Sequence, residues 1–383
     1  MASSEQVTTV GTWAGNNTDV SAVQAQLTRL WRDAAEQAQR QGLPAAARTS
    51  VLTLVAYAED PRTIERVSEA IAALVEHHPS RAVLVLAEPG ASPSLDTEIS
   101  TRCLVARPHV CHEQILLRAH GTVVEQLSSA VSSLLLRDLP TFLWWPSDVA
   151  GNPDILRRLI ALSDRLIVDS ATSADPVASL KALSQIIARR RGIAVTDMQW
   201  ARLTGWREVT AQFFDAGSAR HYLAAIEQVR IDVDGDHLAT APMAGLLFAG
   251  WLASRLGWRP ATDRTQLEPP GRYAVNAGGR SIAIELRARP NRPGGERQLA
   301  SVSLLAGRDG RTVSFSIEQQ TSDTMTTRVE GGDFPTEDRH MQLADASDAR
   351  LLTHELGIFG RDRAYEEALS VAVGLLRVDA GAE

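Results

Sequence analysis

The sequence predicts an α/β N-terminal domain with a mainly parallel sheet, followed by an α+β domain with an antiparallel sheet. Continuous apolar runs separated by amphipathic helices indicate the first, because parallel strands are covered on both faces. Alternating runs between Gly, Pro and Arg turns indicate the second. The 383 residues also exceed one ordinary domain. We therefore expect a flexible tail at 1–18, an α/β domain at 19–217 and an α+β domain at 218–383.

Two strand–helix–strand units are expected in the first domain. Apolar runs at 51–58 and 82–87 flank one helix, which begins at Asp60 with proline in its first position. Runs at 141–145 and 165–169 flank a second helix, which begins at Asn152-Pro153 in the same way. Since all four runs are apolar throughout, we expect covered parallel strands. The other expected elements are a helix over 19–40, a strand over 115–120 and a helix over 123–134.

The segment 197–215 predicts a single helix that is apolar on two faces. Its first stripe holds Trp200, Leu203, Ala211 and Phe214, and its second holds Trp206, Val209 and Phe213. Such a helix is either deeply buried or covered by another surface. We expect it to form a bridge into the second domain.

The second domain has segregated strands and helices. The alternating stretch 226–234 predicts a half-buried strand, and the apolar stretch 241–258 predicts a core helix too short to span a bilayer. The final sentence of this prediction is a list: three alternating strands at 281–289, 300–307 and 312–319, then helices around 347–359 and 363–377.

Composition restricts the class of partner. The net charge is -7 and the pI is near 5.8, which argues against general affinity for nucleic acid or an anionic membrane. The sequence has no run of about 20 apolar residues, and its first residues lack a secretory signal pattern. The expected compartment is the cytoplasm.

The two cysteines, Cys103 and Cys111, are expected to be buried thiols in a reducing compartment, although a hairpin could bring them together. With His109 and His112 they offer zinc-compatible atoms. They lack the paired spacing of a structural zinc site, however, and the metalloprotease helix pattern fails at Leu116. We expect no metal here.

Other chemical motifs are also weak. No glycine-rich turn links a strand to a helix, and no nucleophile elbow is present. Arginines at 189–191 are interpreted as complementing a helix C-terminus rather than binding phosphate. Of Trp144 and Trp145, one is expected in the core, and the other either packs under a helix or faces a ligand. Carboxylates at the predicted strand ends favour helix caps over a magnesium site: Glu59, Asp60, Glu88, Asp148 and Asp169. We expect no catalytic residues and no cofactor.

Several stretches together resemble one family, the glucose-6-phosphate dehydrogenase assembly proteins known as OpcA. They are HHPSRAVLV at 77–85, CHEQI at 111–115, LPTFLWWP at 139–146, WARLTGWREVTAQFFD at 200–215 and HELGIFGRDRAYEEAL at 354–369. The resemblance implies a non-catalytic partner that promotes assembly or activation of the first enzyme of the oxidative pentose phosphate pathway. Some members respond to thioredoxin through cysteines near the C-terminus, which this sequence lacks.

The segment 200–215 is the candidate surface for that partner, with a fully buried helix as the alternative. Aromatic residues ringed by charged ones are typical of interaction hot spots. The rival functions are an α/β enzyme acting on a sugar phosphate, of isomerase or lactonase type, and a plain oligomeric scaffold. The candidate contact residues are Trp200, Arg202, Trp206, Arg207, Glu208 and Phe213.

Overall fold

A computed structural model of the chain describes residues 7–40, 50–74, 78–104, 111–190, 192–215, 217–235, 242–261, 271–290, 298–358 and 360–377. The chain forms two compact units. Unit 1 comprises residues 1–169, 191–196 and 347–361, and unit 2 comprises residues 170–190, 197–346 and 362–383.

The strands and helices of the described residues are as follows in chain order. The strands are β1 (Val7–Gly15), β2 (Leu52–Ala58), β3 (Ser80–Glu88), β4 (Ser94–Leu104), β5 (Cys111–His120), β6 (Thr141–Trp145), β7 (Arg165–Val168), β8 (Ala194–Asp197), β9 (Ile226–Asp234), β10 (Arg259–Pro260), β11 (Arg272–Ala277), β12 (Arg280–Arg289), β13 (Leu299–Arg308), β14 (Arg311–Gln319), β15 (Thr324–Gly331) and β16 (Arg339–Gln342). The helices are α1 (Val20–Arg40), α2 (Pro61–Ala72), α3 (Leu127–Leu134), α4 (Pro153–Ile160), α5 (Pro176–Arg189), α6 (Met198–Arg202), α7 (Thr204–Gln212), α8 (Gly217–Leu223), α9 (Pro242–Leu256), α10 (Asp348–Leu356) and α11 (Arg363–Arg377).

The unit 1 sheet has the strand order β1-β4-β5-β3-β2-β6-β7-β8. Its centre, from β5 to β7, is parallel, while β1 and β4 run antiparallel at one edge. Every residue of β2 is buried, which explains its uninterrupted apolar sequence. The two predicted strand–helix–strand units are confirmed. Asp60 and Asn152 cap their helices by accepting from Thr63 N and Ile155 N.

Helices lie on both faces of this sheet. Trp31 of α1 donates to Glu113 of β5, so α1 lies on the face to which Glu113 points. Gln114 is the next residue of β5 and donates to Ser68 of α2, which places α2 on the opposite face. Against α1 packs α3, followed by α4, and α10 packs against α2. One face therefore carries α1, α3 and α4, and the other carries α2 and α10.

The unit 2 sheet has the order β10-β11-β12-β9-β13-β14-β15-β16. Only the β9–β12 pairing is parallel, so the expected antiparallel sheet is confirmed in its main part. Val233 and Leu286 pack closely around Gly245 of α9, which covers one face. Side chains on the other face alternate with them and are polar, for example Arg230 and Glu285.

Three expectations about the chain's organisation need correction. The expected tail at 1–18 contains β1, which pairs with β4 because its backbone completes that edge of the sheet. The single helix expected over 197–215 is instead two short helices, α6 and α7, with Leu203 between them. The division into units also differs from a boundary at residue 217, since α10 packs on α2 of unit 1.

The two cysteines form a disulfide in the structure, which overturns the expectation of two thiols. Cys103 and Cys111 are direct cross-strand partners in the β4–β5 pair, with their Cα atoms 4.1 Å apart. Antiparallel pairing therefore brings the thiols together. The sequence analysis had considered such a hairpin without favouring it.

Candidate functional site

The tryptophan at the start of the candidate segment is part of the unit 2 core. Trp200 is 5% exposed, and its indole Nε1 donates to Asp362 Oδ2 at 2.8 Å. The Trp200 ring also lies 5.8 Å from the ring of Tyr365. Trp206 in α7 is 4% exposed. Both tryptophans are thus explained by packing inside unit 2.

Arg207 braces the same region from within. Its guanidinium lies 3.4 Å above the Trp200 ring. The same group donates to the Trp200 carbonyl at 2.9 Å and to Thr204 Oγ1 at 3.0 Å. Stacking and two hydrogen bonds fix the turn between α6 and α7. Of the remaining candidates, Arg202 and Phe213 are half-buried and Glu208 is exposed.

Phe213 opens onto an apolar groove on the surface of unit 2. Its ring lies 5.5 Å from Phe315 of β14, and Phe334 lies 6.1 Å from Phe315 on the far side. The cavity has a volume of about 200 Å³. We call this surface the aromatic groove and define it by Val209, Phe213, Phe315, Val329, Phe334 and Met341.

Charged side chains fix one wall of the aromatic groove. Arg328 of β15 forms a bidentate ion pair with Asp338, with distances of 2.6 and 2.7 Å from Nε and Nη2 to the two carboxylate oxygens. The hydrogen bonds from Arg328 lower the pKa of Asp338. Because this pair joins β15 to the chain just before β16, it fixes the loop that carries Phe334. Glu337 and Arg339 are exposed at the same wall.

The aromatic groove can bind an apolar side chain and surround it with polar contacts. Aromatic and methionine side chains are enriched at the centres of protein interfaces, and charged groups are found at their rims. The sequence analysis identified Phe213 and missed Phe334. The signal for this wall was the alternation of Met325, Thr327 and Val329, which is typical of a strand and is followed by a Gly-Gly turn.

The acidic residues at the strand ends of unit 1 have local partners. Asp60 caps α2 as expected, and Glu59 accepts from Tyr57 Oη at 2.6 Å. Glu88 pairs with His120 at 2.7 Å, and Asp148 accepts from the backbone of Ala150. Asp169 is buried. These contacts explain four of the five carboxylates by local structure. Within the described ranges, no three His, Cys, Asp or Glu side chains lie close enough together to hold a metal ion.

The candidate zinc atoms are not available as proposed. Cys103 and Cys111 are joined to each other, so neither is a thiolate ligand in this structure. His112 is 1% exposed, and burial is the main reason why its pKa falls to about 4. His109 lies outside the described residues.

The tryptophan pair and the arginine run are also settled in part. Trp144 and Trp145 are both buried, so the expectation that one might face a ligand is wrong. Trp145 stacks on Tyr57 with ring centroids 4.5 Å apart. Arg189 and Arg190 lie at the C-terminal end of α5, as expected, whereas residue 191 lies outside the described ranges. No helix in the described part of the chain is long and apolar enough to cross a membrane.

Two family models match the chain in consecutive stretches. Residues 71–185 match the glucose-6-phosphate dehydrogenase subunit N-terminal domain, and residues 193–369 match the C-terminal domain of the same subunit. A protein of Synechocystis sp., provisionally named OxPP cycle protein OpcA, is 27% identical over 314 residues, which cover 79% of this chain. One of the same name from Synechococcus elongatus is 28% identical over 305 residues, or 74% of this chain. In each case the match spans 64% of the relative's length.

Among solved structures, KijD10, a 3-ketoreductase from Actinomadura kijaniata, aligns with a TM-score of 0.48 and 11% identity. The alignment covers 86% of this chain and 96% of that chain. A similarity of this size gives no information on chemistry.

Proposed function

This chain belongs to the OpcA family of glucose-6-phosphate dehydrogenase assembly proteins, and we propose that it is a non-catalytic assembly factor and allosteric activator of that dehydrogenase. The observation that carries this proposal is the pair of subunit domains, which together span most of residues 71–369. We place its action in the oxidative pentose phosphate pathway and in the cytoplasm, with neither nucleic acid nor membrane as a partner.

Activation has a definite thermodynamic requirement. The protein must bind the active form of the dehydrogenase more tightly than the inactive form, because equal binding shifts nothing. A tenfold gain in apparent substrate affinity needs only about 1.4 kcal/mol of such preference. One well-packed anchor at an interface supplies this much.

The aromatic groove is the proposed contact, with Phe213 and Glu208 at the surface and the other candidates behind it. Trp200, Trp206 and Arg207 hold α6 and α7 in place, so they support the contact from inside unit 2. Arg202 is half-buried on the same segment and completes the set. An apolar side chain of the dehydrogenase would fill the groove between Phe213 and Phe334.

The test is a charge placed in the groove. Phe213→Glu is expected to weaken the apparent affinity for the dehydrogenase at least tenfold, because an unpaired carboxylate in an apolar contact is costly. The measurement is co-purification, followed by titration of dehydrogenase activity. Leu305→Glu is the matched control, since Leu305 is half-buried on the opposite face of the same sheet.

Arg207→Ala is a poor test of contact, because it would remove the stacking on Trp200 and loosen unit 2 itself. The proposal is wrong if the wild-type protein leaves the substrate affinity, maximal rate and oligomeric state of the dehydrogenase unchanged. Tight binding of glucose 6-phosphate or NADP by the isolated chain would favour the enzyme alternative instead.

A further inference from the structure

The two faces of the unit 1 sheet are covered unequally. On the face of α1, helices extend from β1 and β4 across to α4. On the other face, α2 covers β2 and β3, and α10 packs on α2 away from β5. The strands β5, β4 and β1 therefore have no helix on this second face within the described residues.

A groove lies where that helix is lacking, between α2 and β1, with a volume of about 610 Å³. We call it the sheet groove. Its floor contains Leu84 and Leu116, and α2 forms one wall with Glu65 and Glu69. β4 contributes Ser100 and crosses the groove with 11 residues. That length corresponds to about 30 Å of strand, the length of a helix of about 20 residues.

The floor of the sheet groove contains a polar atom that is not satisfied. Gln114 is 8% exposed and lines the groove, and its Nε2 donates to Ser68 Oγ at 2.9 Å. Its Oε1 is buried and accepts no hydrogen bond from the described residues. A buried acceptor without a donor is uncommon in folded proteins. A donor from an occupant of the groove would satisfy it.

The walls of the sheet groove carry charges that ask for particular partners. Glu65 and Glu69 are exposed one turn apart on α2, and neither has an ion-pair partner in the described part of the chain. Like charges at this spacing repel each other. On the β4 side Arg102 likewise has no ion-pair partner among described residues, whereas Arg118 pairs with Glu98 at 3.2 Å. One wall is therefore acidic and the other has a cation to offer.

We propose that the sheet groove is the docking site for one amphipathic helix of the dehydrogenase, an inference that rests on the function proposed above. The apolar stripe of that helix covers Leu84 and Leu116. Its basic flank faces Glu65 and Glu69, and an acidic residue on its other flank faces Arg102. Among these 383 residues, no stretch outside the described ranges exceeds nine, or about 14 Å of helix. Such a stretch is too short to fill the groove.

Charge reversal on the acidic wall tests the proposal. The double variant Glu65→Lys, Glu69→Lys is expected to weaken the complex with the full-length dehydrogenase about tenfold, because the basic flank would meet like charges. Both positions are exposed on a helix, so folding is expected to be retained, which the melting temperature checks. The matched control is Glu36→Lys, Glu125→Lys, which makes the same charge change at exposed positions elsewhere in unit 1.

A photo-crosslinker identifies the occupant directly. p-Benzoylphenylalanine placed at Ser100 in the groove is expected to form an adduct with a helical segment of the dehydrogenase, read out by peptide mass spectrometry. The same group placed at Ser129 of α3 is the control, since α3 lies on the opposite face. An adduct with a second copy of this chain, or a yield no higher than from position 129, overturns the proposal.

The two proposals fail in different ways. If the wild-type chain does not bind or activate the dehydrogenase, the proposed function fails, and the docking site with it. If wild type activates and Phe213→Glu weakens activation, but the double lysine variant binds like its control, only the sheet groove assignment is wrong.

Discussion

The two sheets of this protein solve the same burial problem in opposite ways. The unit 1 sheet carries helices on both faces, and its strand β2 is buried at every position. The unit 2 sheet packs on α9 with one face, and along β13 and β14 buried residues alternate with half-exposed ones. A sheet covered twice needs apolar residues throughout, whereas a sheet covered once needs them at every second position.

The comparison extends to the charges that each sheet holds. In unit 1, Glu113 is 1% exposed and pairs with Arg81 at 2.6 Å under the helices. In unit 2, Glu285 lies on the outer face among arginines that are 41–54% exposed. Burial alone would raise the pKa of Glu285, but hydrogen bonds from Arg287 and Arg272 outweigh it and lower the pKa. Similar ion pairs thus stand in a dry interior in one unit and at a wet surface in the other.

The largest expected effect is therefore on stability and follows from removing Glu113. Glu113→Ala leaves Arg81 as an uncompensated buried charge, which we expect to cost about 3–5 kcal/mol of unfolding free energy. Glu285→Ala is expected to cost only about 1 kcal/mol, since its arginines remain hydrated. Urea unfolding of both variants makes the measurement. Equal losses in the two units would show that the faces differ less in solvation than the structure indicates.

The second effect is a pH dependence confined to unit 1. The pKa of His112 is lowered to about 4 by burial, from 6.5, so the unfolded chain binds the proton more readily. Stability from this residue is present above pH 6.5 and falls as the pH drops from 6.5 toward 4, by on the order of 3 kcal/mol.

Removing the imidazole should remove this slope. His112→Gln is expected to flatten the unfolding free energy between pH 6.5 and 4, whatever its effect at neutral pH. His340→Gln on the exposed edge strand β16 of unit 2 is the control and should keep the wild-type curve. A slope that persists in His112→Gln would assign the dependence to another group.

The smallest effect compares two hairpins. The β4–β5 pair is closed by the Cys103–Cys111 disulfide, and the β13–β14 pair turns through Asp309 and Gly310, both with positive φ. The double variant Cys103→Ser, Cys111→Ser is expected to lose roughly 2–3 kcal/mol, because the crosslink restricts the unfolded chain. Gly310→Ala is expected to cost about 1 kcal/mol, since alanine adopts positive φ reluctantly.

Thermal unfolding with and without dithiothreitol gives the crosslink's contribution, and alkylation followed by mass spectrometry counts the thiols. Reductant is expected to lower the stability of wild type and leave the double serine variant unchanged. If both cysteines of the native, unreduced protein are alkylated, the disulfide is absent and the original expectation of two thiols stands.

The sequence by itself determined the local elements and the class of each sheet. Asp60-Pro61 and Asn152-Pro153 specify helix starts through contacts within three residues, so spacing alone locates α2 and α4. Apolar runs and alternation report how many faces of a strand are covered, which separates β2 from β14. These signals are local in sequence, and the structure confirmed them.

Only the tertiary structure decided which residues face a surface. The β1 strand has few apolar residues and gains its place from backbone pairing with β4, nearly 90 residues away in sequence. The candidate segment carries two stripes, yet the turn at Leu203 buries both tryptophans and leaves Phe213 in the groove with Phe315 and Phe334. Burial, pairing and groove shape depend on residues far apart along the chain, and no local pattern records them.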